Sequence, residues 1–140
     1  MKIVSITTVL LVITIVGLLF GQERRGGGQV LGVHYLQLRD NVSAYDFEQF
    51  VKYKFNPRIK AKAPRGLNLF FLKGIRGGQE GQYVLVWQIV SKKRRDEYWP
   101  APDFDRSPLF EKDTRFLTSI LAEYPRYVRR IKFTDYQIIQ

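Results

Sequence analysis

This chain predicts an α+β domain built in the order strand, helix, strand, strand, helix, strand. Three observations carry the prediction. The run Tyr83–Val90, YVLVWQIV, is almost unbroken apolar with only Gln88 polar, which suits an interior strand covered on both faces. Phe47, Phe50, Val51 and Phe55 recur at helical spacing, as do Leu109, Phe116, Leu117, Ile120, Leu121 and Tyr124. Between these stripes, LNLFFLK is joined to the Tyr83 run by GIRGGQEGQ, whose four glycines make a hairpin tip. The order is that of the split βαβ, or ferredoxin-like, plan: a four-stranded antiparallel sheet with both helices on one face.

The chain opens on Met1–Gln22, in which Ile3 to Phe20 runs without a charge through Leu10 and Leu11. As a helix those 18 residues would span roughly 27 Å, close to the ~30 Å hydrocarbon core of a bilayer. That length exceeds a signal-peptide core and falls slightly short of a full span, so a cleaved signal and a retained anchor both stay open. Lys2 precedes the run and Arg24 and Arg25 follow it, so flanking charge does not orient it. Either reading sends the chain to a membrane, exported to a periplasmic or extracellular space or tethered there. Residues 23–29, ERRGGGQ, read as a polar linker, and the domain as residues 30–140.

Strand 1 is expected over Val30–Asp40, with His34, Leu36 and Leu38 on one face and Tyr35, Gln37 and Arg39 on the other. Ser43, with Asp46 three residues on, is a cap for helix 1. Asn56–Pro57 should end or kink that helix, because proline lacks the backbone donor and its ring clashes with the preceding turn. An acid-free run follows, with Lys52, Lys54, Arg58, Lys60, Lys62 and Arg65. Strand 2 is Leu67–Lys73. Its hairpin tip is no phosphate cradle, since a strand rather than a helix follows the glycines. Ser91 caps a short helix over Lys92–Tyr98 that stops at Pro100. Ser107–Pro108 opens helix 2, which runs to about Glu123 and ends at Pro125, and Val128–Ile139 is strand 4.

Composition bounds the chemistry. With 140 residues and 45% hydrophobic, there is room for one domain. The absence of cysteine excludes disulfides, a thiol nucleophile and a zinc-thiolate site. The net charge is +10, and residues 30–140 carry 20 basic against 12 acidic side chains, which draws anions of many kinds. In a one-layer sheet, strands apolar on both sides call for a second sheet, so a homodimer closing face to face is expected.

VHYLQLRD in strand 1, FEQFVKYKFNP in helix 1 and YVLVWQIVSKKRRDEYWP across strand 3 resemble the dimeric α+β barrel superfamily, in particular its antibiotic-biosynthesis-monooxygenase-like and NIPSNAP-like small domains. The resemblance covers residues 30–140 and is one of pattern rather than of a diagnostic motif. It implies a dimeric barrel whose relatives include cofactor-free oxygenases, haem-degrading enzymes, isomerases and domains without chemistry. Haem-degrading relatives are expected to carry an iron-binding histidine on the second helix, and residues 92–124 contain none.

His34 is the only histidine, so any triad or imidazole metal site would run through it; on a face with Leu36 and Leu38 it reads as a structural histidine on the helix-covered side. No metal and no cofactor is called for. Tyr35, Gln37 and Arg39 share the other face, and with Asn68 and Gln88 they would put five polar groups inside an apolar barrel, the form of a small-molecule site. There Arg39 would hold a carboxylate or enolate, Tyr35 would donate a proton and the amides would orient a carbonyl. The competing reading is a polar dimer seam. Trp87 should face the helices as core. The basic residues Lys92, Lys93, Arg94 and Arg95 beside Tyr98 and Trp99 fit a solvated face or a lipid headgroup contact better than nucleic acid. The reading is thus a dimeric barrel binding a small aromatic or anionic molecule, with cofactor-free monooxygenase or isomerase turnover as an extension. Its alternative is a non-enzymatic homodimerisation module at a membrane surface.

Overall fold

A computed structural model describes residues 28–139; the segment at 1–22 and most of the linker lie outside the described residues. The sheet holds β1 (Val30–Leu38), β2 (Leu67–Lys73), β3 (Tyr83–Ile89) and β4 (Val128–Gln137) in the spatial order β2-β3-β1-β4, every neighbour antiparallel. That is the ferredoxin-like order, an α+β fold with its helices packed on one side. No helix among the described residues is long and apolar enough to cross a membrane.

Helix 1 begins where expected. The Ser43 hydroxyl accepts from the Asp46 amide at 3.0 Å and so supplies the first turn's missing acceptor. Pro57 does not end it. α1 (Ala44–Phe50) runs through a π-helical turn (Val51–Phe55) into α2 (Asn56–Lys62). The wider turn shifts the bonding pattern by one residue, which spares an amide that proline lacks and moves the carbonyl its ring would strike. Gly66, at φ +86°, then turns the chain into β2; a Cβ there would sit 3.0 Å from Val90 Cγ1, so both conformation and space demand glycine.

Of the remaining helices the first two are capped by Ser91 and Ser107, which accept from the Arg94 and Phe110 amides at 3.1 Å, and the third has no side-chain cap. These are α3 (Lys92–Tyr98), α4 (Pro108–Thr114) and α5 (Thr118–Glu123), the last two joined by a 3₁₀ turn. The Tyr98 hydroxyl donates to Asp113 at 2.8 Å and pins α3 to α4; burial, with this acceptor, pushes its pKa well up.

The core lies between helices and sheet. Phe47, Phe50, Phe55, Ile59, Phe110, Leu117 and Ile120 from the helices meet Leu36, Leu69, Leu85, Trp87 and Ile89. The register puts even-numbered β1 residues with Trp87, Leu85 and Tyr83 on this side, and Leu31, Val33, Tyr35 and Gln37 on the other. Beyond Tyr35 the β4 pairing slips by one residue at Ile131, so Arg130, Phe133 and Asp135 all lie on the helix side. Yet of β4 only Val128 is buried. The helical layer stops short of that edge and leaves a step.

Candidate functional site

The step is a cleft of about 770 Å³ floored by β3, β1 and β4 and walled by α3 and the loop after it. Its floor exists because β1 carries glycine at position 32. A Cβ there would meet Asp135 Oδ1 at 3.2 Å and Trp87 Cβ at 3.6 Å, filling space the cleft keeps open. Two residues along, His34 lies between Trp87, at 6.3 Å between ring centroids, and Phe133, at 5.6 Å. Trp87 stacks on Phe110 at 5.8 Å and meets the edge of Trp99 at 6.4 Å. The chain's two tryptophans therefore both line this cleft.

Its polar groups are chiefly donors. Arg95, from α3, grips Asp135 through Nε at 2.8 Å, tying the helix to the β4 edge. Arg106 lies over the Phe110 ring at 5.4 Å and Arg130 over Phe133 at 5.1 Å, and neither guanidinium has an acidic partner among the described residues. The indole Nε1 of Trp87 is buried without a hydrogen-bond partner among the described residues. A buried donor left unpaired costs about 1–3 kcal/mol. Burial, helped by Arg130 and opposed by Asp135, lowers the His34 pKa to about 4, so the imidazole is neutral at pH 7. Phe104, more than half exposed in the loop over the cleft, takes φ +55°, a left-handed conformation strained for an aromatic residue.

The sequence-derived candidates fall elsewhere and in four separate places. Tyr35, Gln37, Asn68 and Gln88 do share the open face of the sheet, as alternation implies. They do not converge. Asn68 donates to Gln88 at 3.4 Å, and Gln88 donates to Gln29 at 3.0 Å, all at one end of the strands. Gln37 lies six residues along β1 from Leu31, the partner of Gln88, which is roughly 20 Å away, and it accepts from Arg129 at 2.7 Å. Tyr35 sits between them, with the Lys132 ammonium 4.7 Å above its ring and Tyr136 bonded to its hydroxyl, which raises its pKa. Arg39 lies past the end of β1 and donates from Nε to the Pro125 carbonyl, so it closes a corner rather than joining the others.

His34 and Trp87 are on the helix side, as alternation implies, but they form a cleft wall and not only core. Sequence reasoning missed Arg106, Arg130, Phe104 and Asp135. The available signal was Gly32, a residue with nothing to pack inside a strand. No family model, curated protein or solved structure matches the chain.

Proposed function

We propose that this domain binds a small, flat anion, of which an aromatic carboxylate is the simplest form, in the cleft between the β1–β4 edge and α3. The supporting observation is a cleft walled by Trp87, Trp99 and Phe133 and lined by the guanidinium groups of Arg106 and Arg130, with Asp105 the neighbouring acid. The ring would lie among Trp87, Trp99 and Phe133. An arginine would hold the carboxylate through charge-assisted bonds while the aromatic walls pack on its ring. The ligand expected from sequence is kept, and its seat moves from between paired sheets to the helix side of one sheet. His34 stands neutral beside the site, and its lowered pKa makes it a weak base there, which favours binding over turnover.

Both tryptophans report directly. Adding benzoate or 2-hydroxybenzoate should quench emission saturably, and benzamide, which lacks the charge, should not. Removing both guanidinium groups in Arg106→Ala/Arg130→Ala should weaken binding by tenfold or more, since a charged hydrogen bond contributes about 1.5–3 kcal/mol. Trp87→Phe should weaken it severalfold. No saturation up to about 10 mM, or equal affinity in the double arginine variant, would sink the reading.

A second reading concerns the other face. Leu31, Val33, Phe70, Val84 and Val86 form an apolar strip on the helix-free side of the sheet, with Leu72 half exposed beside them. The occupant we propose is a second copy of the chain, sheet against sheet, as the resemblance to dimeric α+β barrels implies.

A further inference from the structure

The end of the sheet at which β1 begins gathers an acid-poor set of lysines. Val30 opposes Ile89 and Gln137, and Ile89 opposes Leu67, so the start of β1, the start of β2 and the ends of β3 and β4 are neighbours. The Val90 amide donates to the Gly66 carbonyl at 2.9 Å, joining the turn after α2 to the turn before α3. Flanking those two turns, Lys60 and Lys62 end α2 and Lys93 lies in the first turn of α3, all exposed and none with an ion pair among the described residues. Lys92 beside them shares its ammonium with Asp96 at 2.8 Å. Neither stretch, 60–66 or 90–93, contains an acid. The nearest acids, Asp96 of α3 and Asp135 near the end of β4, are engaged by Lys92 and Arg95, while at the opposite end Asp40, Asp46, Glu48 and Glu80 are interspersed with the basic residues.

The same end is where the preceding chain departs. Gln29 is held there by Ile138, whose amide donates to its carbonyl at 2.9 Å, and by the Gln88 side chain. Phe20, the last residue of the uncharged run, is nine peptide steps from Gln29, a reach of at most about 30 Å. Arg24 and Arg25 lie within that reach. With Ile3–Phe20 in a bilayer, the lysine-bearing end is the one tied near its surface, while the hairpin tip at 74–82 lies at the other end of the strands.

We propose that Lys60, Lys62 and Lys93 form a docking face for anionic lipid headgroups, which seats the domain end-on against the bilayer that holds residues 3–20. Each lysine at an anionic surface favours contact roughly fivefold, so three together favour it about a hundredfold, and the tether keeps them within range. The face contains no residue of the cleft, so this inference stands or falls apart from the binding proposal.

The test uses the full chain in lipid nanodiscs. Because the protein has no cysteine, single cysteines can carry a fluorophore: Ile139→Cys at the lysine end, where the side chain is 94% exposed, and Gly78→Cys at the hairpin tip, where a Cβ meets nothing within 4 Å. A quencher attached to lipid headgroups reads proximity. The label at 139 should be quenched severalfold more in discs with about 30% phosphatidylserine than in phosphatidylcholine alone, and about 0.5 M salt should abolish the difference. The label at 78 should report no difference, and Lys60→Gln/Lys62→Gln/Lys93→Gln should bring the 139 label to its phosphatidylcholine level. Equal quenching at 139 in both lipids, a matching response at 78, or an undiminished response in the triple variant would each overturn the proposal. So would failure of the full chain to enter the discs. A duplex oligonucleotide that binds through these lysines while lipid charge has no effect would overturn it in favour of nucleic acid.

Discussion

His34 should make stability depend on pH in a window set by its surroundings. The ring packs against Trp87 on β3 and Phe133 on β4, with Arg130 and Asp135 of β4, Arg95 of α3 and Asp105 and Arg106 of the loop after it as the charged groups around the cleft. Its pKa is lowered from 6.5 to about 4, by burial first and Arg130 second. The unfolded chain therefore takes up the proton at a higher pH than the folded one. The resulting stability is fully present above pH 6.5 and is lost as pH falls toward 4. Between pH 7 and 4.5 the full shift corresponds to roughly 2 kcal/mol; the ring is only partly sealed from water, which brings the expectation to about 1 kcal/mol. Urea unfolding of the full chain in a non-ionic detergent, followed by tryptophan emission, measures this. The wild type should lose about 1 kcal/mol relative to His34→Gln over that range, since carboxylates such as Glu48 and Glu123 titrate alike in both. A difference that stays flat with pH would show that the imidazole charges freely in the fold, and the sealed cleft wall would be wrong.

Two further outcomes are expected. Phe47, fully buried with the rings of Tyr83 at 4.9 Å and Phe71 at 5.3 Å, is the hinge of the aromatic core; Phe47→Ala should cost about 3–5 kcal/mol in denaturant unfolding, and a loss under 1 kcal/mol would mean the helices are held elsewhere. Phe70→Lys puts a charge on the helix-free strip at a half-buried position, and should shift sedimentation from dimer to monomer while leaving benzoate quenching intact; an unchanged dimer would locate the interface on another face. Val86 is a poorer choice for that test, because its own neighbours already bury it and a charge there would unfold the monomer.

The alternation of β1, the apolar run of β3 and the two greasy helix stripes are local patterns; all but helix 1 were legible with their boundaries within two or three residues, and helix 1 runs on to Lys62 past its expected end or kink at Asn56–Pro57. The three serine caps were equally plain, because a cap is satisfied by an amide three residues away and needs no partner from afar. Alternation likewise assigned His34 and Trp87 to one face and Tyr35, Gln37, Asn68 and Gln88 to the other. It could not tell how far apart along the strands those residues lie, since that depends on register, and register is set between chains of residues distant in sequence. The π turn at Val51–Phe55 shows the same limit: proline's clash is local, but the helix continues because Phe55 and Ile59 on either side are buried against the sheet.

What residue order alone determined is the α+β class, the strand and helix sequence and the charge that draws anions. Where an anion would sit was decided by tertiary structure. The one-residue slip at Ile131 brings Arg130, Phe133 and Asp135 to the helix side, and a helical layer too narrow to cover β4 leaves them open beside Gly32 and Trp87. Both depend on how distant segments pack, and packing is a property of the assembled chain that no local pattern encodes.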